Sequence, residues 1–236
     1  METELLKDKV LVIVDDEVDL REILASELEF MGARVFQAQN IESAKNFVLE
    51  NKIDVVVSDI RMPGGTGIDL LNSLKLIDAN KPPVVLITGF ADITAEDAFH
   101  KGAEALVNKP FGLDDLINVV VRYTHAFAER FKMPSGWQNF TSLKGITAVD
   151  FGRGGVAMEI KGNNIDVGEM LNFDFEYKSE RFQGVGVCRW LKVLDYSSKK
   201  SVIGMEFIGL TEDSLVNFKR IHESRALMAY IPSSKS

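Results

Sequence analysis

Short apolar runs without polar alternation recur along the first half of the chain. Val10 to Val14 in KVLVIVDD, Val55 to Val57 in DVVVSD and the centres of PVVLITG and ALVNKPF are of this kind, and RVFQA adds a shorter run. Strands covered on both faces read this way, because neither face calls for a polar residue. Between them lie LREILASELEFMG, IESAKNFVLEN, GIDLLNSLKLID and AEDAFHKGA, in which apolar positions return at helical spacing. Strands alternating with helices predict a doubly wound parallel α/β sheet over residues 8–127.

The pattern changes from Leu143 onward. LKGITAVDF, GVAMEIKG, EMLNFDFEY, FQGVGVCRWLKVLD and SVIGMEFIGL alternate in the manner of half-buried strands, and RGG, KGNN and SSKK between them are turn signals. An antiparallel β-barrel or sandwich is predicted, closed by a helix that opens at Thr211 with acids at Glu212 and Asp213. Residues 143–228 would form this second domain, and 229–236 a flexible tail. The stretch LDDLINVVVRYTHAFAERFKM joins the halves. Its apolar positions 113, 116, 117, 120, 121, 127, 128 and 131 share one helix face, and no Gly or Pro intervenes before Pro134-Ser135-Gly136. It is either the last helix of the first domain or a helix extended into 128–142 as a rod or a homodimer seam.

Length and charge support the division. At 236 residues the chain has room for two cores, since a domain is usually ~100–150 residues. Apolar residues at 46% and charged residues at 26% are those of ordinary globular domains, and no stretch is apolar enough to span a bilayer. METELLKDKV is too polar for a secretory signal, so a cytoplasmic protein is expected, without membrane insertion. Cys188, the single cysteine, excludes an internal disulfide and reads as a small core residue. Up to residue 127 there are 12 Lys and Arg against 22 Asp and Glu, and 15 against 13 afterwards, a net of −10 and +2. An acidic first half disfavours nucleic acid as its ligand, and the second half has neither a basic helix nor a helix-turn-helix pattern, so no DNA-binding output is expected.

In a doubly wound sheet, ligands bind outside the carboxyl ends of the strands. The predicted strands deliver Asp15 and Asp16, Asp59, Thr88 and Lys109 to that edge. Converging carboxylates repel unless a cation shares their site, and hard oxygen donors suit Mg²⁺. A lysine and a threonine hydroxyl could hold the oxygens of a phosphoryl group. Phosphoryl transfer to an aspartate is the chemistry this set suits. Each acid taken singly could equally cap a helix.

With VDDE, SDIRMPGGTG, LITG and NKPF in this order, residues 9 to about 127 resemble the receiver domain of two-component response regulators. The resemblance implies a flavodoxin-like fold, Asp59 as phosphoacceptor, and Mg²⁺ held by Asp15, Asp16, Asp59 and the backbone carbonyl of Arg61. It further implies contacts of Thr88 and Lys109 with the phosphoryl group, a cis Lys109-Pro110 bond, and a histidine kinase or phosphotransfer protein as partner. Receivers commonly carry Tyr or Phe where this chain has Leu106, so the signal is expected to leave through the helix that follows.

Asp150-Phe151-Gly152 matches the magnesium-binding tripeptide of protein kinases, but no phosphate loop, strand lysine or His-Arg-Asp loop precedes it. The order of strands, glycines and closing helix is instead similar to the PilZ domain, a cyclic-di-GMP-binding β-barrel. Asp150, Gly152 and Gly155 stand at its signature positions, with GMEF at Gly204 and the Arg189-Trp190 pair in sequence order. Gly152 replaces the signature serine, and the family's paired arginines, four apart, have no match: Arg122 and Arg130 are eight apart, with Lys132 nearby. Losing two arginines and a hydroxyl would weaken nucleotide binding by about three or more orders of magnitude. Arg130, Lys132 and Arg153 are the residues available to compensate. The expectation is a response regulator, not an enzyme, whose PilZ-like output acts by protein interaction through a degenerate cyclic-di-GMP site. By family analogy its target would lie in motility or envelope machinery. The alternative is a cyclic-di-GMP effector that integrates both signals.

Overall fold

A computed structural model describes residues 4–89, 92–133, 140–224 and 227–234. The chain divides into two compact units, Met1–Thr94 with Lys101–His125, and Ala95–His100 with Ala126–Ser236. Among the described residues, no helix is long and apolar enough to cross a membrane.

The first unit runs β1 (Val10–Val14), α1 (Val18–Phe30), β2 (Arg34–Ala38), α2 (Ile41–Glu50) and β3 (Val55–Asp59). A two-residue hairpin follows, β4 (Arg61–Met62) and β5 (Gly65–Thr66), then α3 (Gly67–Ile77) and β6 (Val84–Thr88). After the short helix α4 (Ala95–His100), which groups with the second unit, come β7 (Ala105–Asn108) and α5 (Leu113–Thr124). The five long strands are parallel in the order β2-β1-β3-β6-β7. This is the flavodoxin-like order, with its switch point between β1 and β3. Every residue of β3 and β6 is buried, as their uninterrupted apolar character predicts.

Local chemistry sets the helix starts. Asn40 Oδ1 accepts from Ser43 N at 2.9 Å, and Thr66 with Asp69 forms a reciprocal capping box. Gly67 opens α3 because a Cβ there would lie 2.3 Å from the Asp59 carbonyl oxygen. Only glycine lets the α3 backbone pass that close to the end of β3.

The continuous helix expected over 113–131 is not formed. α5 ends at Thr124, His125 and Ala126 are extended, and a separate turn, α6 (Phe127–Arg130), follows. Phe131 is buried and stacks edge-on with Phe127, Phe207 and Phe218. Burying an aromatic ring is worth about 1.5–3 kcal/mol, more than the one or two helical hydrogen bonds given up at the break. The rod over 113–131 that the sequence suggested is therefore absent, and the first unit closes at His125 instead of residue 127. The expected stop at Pro134-Ser135-Gly136 lies outside the described residues.

In the second unit β8 (Thr141–Ser142), β9 (Ala148–Phe151), β10 (Gly155–Lys161), β11 (Met170–Tyr177), β12 (Glu180–Asp195) and β13 (Lys200–Leu210) precede α7 (Glu212–Ser224). They form one sheet, β8-β11-β12-β13-β10-β9, antiparallel except for β8 against β11. Of the predicted strand at 143–151 only its last four residues pair as strand. The sheet rolls around Phe151, Phe173, Phe175, Phe182, Phe207 and Phe218. Phe151 on edge strand β9 meets Tyr177 of β11 at 5.0 Å between ring centroids, so the sheet's ends meet through rings. Among the described residues no strand pairing closes the sheet into the predicted barrel; β8 and β9 remain its edges. Register shifts at Val185/Gly186 and Cys188/Trp190 bend β12 into the roll. Trp190 lies over Gly204, where a Cβ would come within 1.9 Å of its indole nitrogen.

The flexible tail expected at 229–236 is also corrected. Tyr230, Ile231 and Ser233 are buried, and residues 229–234 are hydrogen-bonded within the second unit. Ile231 and the Tyr230 ring are apolar surface that the unit covers, which outweighs the entropy of ordering a few residues.

Candidate functional site

The carboxyl ends of β1, β3 and β7 bring a small charged cluster together. Lys109, one residue past β7, places Nζ 2.6 Å from Asp59 Oδ1, 3.5 Å from Asp15 Oδ2 and 3.7 Å from Glu17 Oε1. Asp59 Oδ2 accepts from the backbone N of Arg61 at 2.6 Å, and Asp15 Oδ1 from that of Glu17 at 2.8 Å. Asp15 Oδ2 is buried and makes no hydrogen bond. The Lys109 backbone N–H donates to the Thr88 carbonyl at 2.7 Å, and the Lys109-Pro110 bond is cis.

Electrostatics follow from burial and these pairings. Burial pushes the Asp15 carboxyl above its ordinary value, with the Asp59 charge adding to it and the Glu17 N–H and Lys109 opposing. For Lys109, burial works against the ammonium, yet its hydrogen bond to Asp59 and the charges of Asp15, Asp59 and Glu17 prevail and hold it above the usual lysine value. A cation therefore faces Asp59 throughout the physiological range.

Thr88 ends β6 but turns its hydroxyl to Asp92, with Oγ1 2.9 Å from Asp92 Oδ2 and 2.7 Å from the Gly89 carbonyl. Arg61 pairs with the same Asp92 carboxylate. Burial raises the Asp92 carboxyl, but the hydrogen bonds from Thr88 and Arg61 outweigh it and leave it below the ordinary range. Asp16 is exposed, and among the described residues no three His, Cys, Asp or Glu side chains form one cluster, whereas Mg²⁺ needs only one or two carboxylates beside its waters. The structure thus joins Asp15, Asp59 and Lys109 directly and leaves Asp16 at the rim. Glu17 and Asp92 were not singled out from sequence, although Glu17 stands in the VDDE stretch and Asp92 four residues beyond Thr88.

The response regulator receiver domain family matches residues 11–121. Sporulation initiation phosphotransferase F of Bacillus subtilis is 31% identical over 120 residues, which cover 50% of this chain and 95% of that protein. The chain belongs to the response regulator receiver family. Regulatory protein AtoC of Escherichia coli is 36% identical over 113 residues, 48% of this chain but 24% of AtoC, so the match spans about a quarter of that relative's length. A solved receiver domain from Clostridium thermocellum is 28% identical, covering 49% of this chain and 94% of its own, with a TM-score of 0.46. In this receiver Leu106, at the position that is commonly aromatic, is half-buried on β7 and pairs in register with Leu86.

The second predicted site lies at the turn between β9 and β10. Gly152 N donates to the Gly155 carbonyl at 2.8 Å, closing the turn, and Asp150 is half-buried on β9. Arg153 is buried, with its guanidinium 5.8 Å from the centre of the Tyr230 ring and Nε 3.3 Å from the Met228 carbonyl. Arg130 and Arg153 both act on His222, which burial and these two charges hold below the ordinary histidine value. Lys132 is exposed, and its backbone bridges to Leu210. Of the three candidate cations, Arg153 is the one placed at the turn itself.

Proposed function

We propose that the chain is a phosphorylation switch in which Asp59 accepts a phosphoryl group from a histidine kinase or phosphotransfer protein, and that the second unit is a PilZ-like output. The observation that carries this is the Asp59 carboxylate, buried at a strand end and held between Lys109 Nζ and the Arg61 N–H at 2.6 Å each. These donors fix the carboxylate for in-line attack, and Lys109 is placed to follow charge onto the incoming phosphoryl oxygens. An Asp59 oxygen bonds to phosphorus as the donor's P–N bond breaks, with the electron pair leaving on the donor nitrogen. The buried oxygen of Asp15 that lacks a hydrogen bond, beside Asp59, fits a hard cation in donor type. Asp15, Asp16, Asp59 and the Arg61 carbonyl would hold Mg²⁺, which neutralises phosphoryl charge when bound. Thr88 supplies its hydroxyl to a phosphoryl oxygen.

Incubation with acetyl phosphate and Mg²⁺ should add one phosphoryl mass to the chain and none to Asp59→Asn. Persistent uptake by that variant would move the acceptor elsewhere.

For the output, protein interaction with a degenerate nucleotide site is favoured, because residues 228–230 of the chain itself lie against the β9–β10 turn. Calorimetry with cyclic-di-GMP should give no heat at ~100 µM; a Kd below ~10 µM would establish the effector alternative. The switch acts in the cytoplasm and without catalytic turnover of a metabolite.

A further inference from the structure

We propose that the segment Met228–Ser234 is a strap that fastens helix α4 to the β9–β10 turn, and that phosphorylation of Asp59 lets it go. The second clause rests on the phosphoryl switch proposed above; the first stands on contacts within the second unit.

On one side the strap fills the glycine turn. Arg153 N donates to the Ala229 carbonyl and Gly154 N to the Tyr230 carbonyl, both at 2.9 Å. The Tyr230 ring occupies the space over Gly154, where a Cβ would lie 1.9 Å from it, and Tyr230 Oη is 3.2 Å from the buried Glu206 carboxylate. A Cβ on Gly152 would stand 2.3 Å from the Tyr230 carbonyl oxygen. The glycines are therefore what admit an extended chain to the turn.

On its other side the same segment holds α4. Tyr230 N and Ile231 N both donate to the Phe99 carbonyl, at 2.8 and 3.4 Å. Ser233 N donates to His100 Nδ1 at 3.2 Å, and Ser234 N and Oγ reach Glu96 Oε1 at 2.7 Å each. A helix of six residues is marginal alone, and its last carbonyls have no partner within the helix. The strap supplies one of those partners, so the two structures support each other.

The trigger lies just ahead of α4 in the chain. Asp92, three residues before Ala95, is held by Thr88 and Arg61. A Thr88 hydroxyl drawn to a phosphoryl oxygen abandons Asp92, and the entry to α4 loses an anchor. Hydrogen bonds of about 3 Å weaken steeply with displacements of an ångström or less, so a shift of α4 breaks the strap's upper row of contacts. Its lower row is then left to hold the segment by itself.

Hydrogen exchange on the full chain, with phosphoryl uptake checked by intact mass, tests this. Uptake should speed exchange of peptides covering 151–156 and 228–234 by roughly tenfold or more, while β12 and β13 stay protected. Uptake with unchanged exchange in those peptides overturns the release. The strap itself is tested without phosphate: Glu96→Gln and Tyr230→Ala should each loosen both α4 and the turn at 151–156. If each loosens only the end it touches, or neither, the strap is refuted. Absence of uptake would sink the Asp59 reading and leave the strap to these two variants.

Discussion

The two units solve opposite problems with opposite materials. The first gathers charge: buried Asp15 and Asp59 with Lys109 sit at strand ends, where a parallel sheet delivers side chains to one edge. The second rolls a sheet around phenylalanine rings, buries the Glu206 carboxylate and Arg153 beside them, and shapes its turn with glycines and backbone N–H groups. A site of ionised side chains announces itself in sequence. One made of missing side chains is visible only when what fills the gap is known.

The contrast can be broken or sharpened by experiment. The largest effect expected is all-or-none: Asp59→Asn should remove phosphoryl uptake while leaving the second unit's exchange pattern in place. Next, Phe207→Ala, at a fully buried ring in the aromatic roll, should destabilise the second unit by about 3–5 kcal/mol. Calorimetry should show a lower transition for that unit with the first unit's transition retained; a single transition shifted as a whole would mean that the cores are not separate.

A smaller change of opposite sign is expected in the charged site. The Asp15 carboxyl is raised in the folded state, so its favourable contribution is present at low pH and lost as pH rises through that raised value. At neutral pH the ionised, buried carboxylate is a burden, and Asp15→Asn should raise the first unit's transition. A destabilised variant would show that the pairing with Lys109 outweighs burial. The smallest effect belongs to the second unit. Burial, with the Arg153 and Arg130 charges, holds His222 below its unfolded value against the opposing Glu223 charge. Its contribution is present above about pH 6.5 and lost as pH falls through the folded value, lowering the second transition. His222→Gln should flatten that dependence.

Most of the first unit was legible because its signals are local. Uninterrupted apolar strands, acids at their ends and the lysine before a proline each follow from a few adjacent residues. The β4–β5 hairpin was not, since two residues per strand carry no periodicity. The break at His125 escaped because no Gly or Pro marks it; Phe127 and Phe131 are drawn into the aromatic roll by partners some 80 residues away, such as Phe207 and Phe218. Asp92 was missed for a related reason, as its role depends on where Thr88 and Arg61 point. In the second unit the strands from β10 onward were readable by alternation, whereas the residues from 229 on read as a flexible tail. The burial of Tyr230 there depends on Gly152 and Gly154, far away in the chain.

Gly152 ties two distant parts of the second unit to one another. A serine there is sterically barred while the Tyr230 carbonyl occupies the turn, its Cβ having to stand 2.3 Å from that oxygen. A side chain at 152 and the present course of residues 229–230 therefore exclude one another, since a Cβ there would also stand 2.9 Å from the Ala229 carbonyl oxygen. Any substitution of Gly152 displaces the segment, and with it the hydrogen bonds from Arg153 N and Gly154 N that end on it.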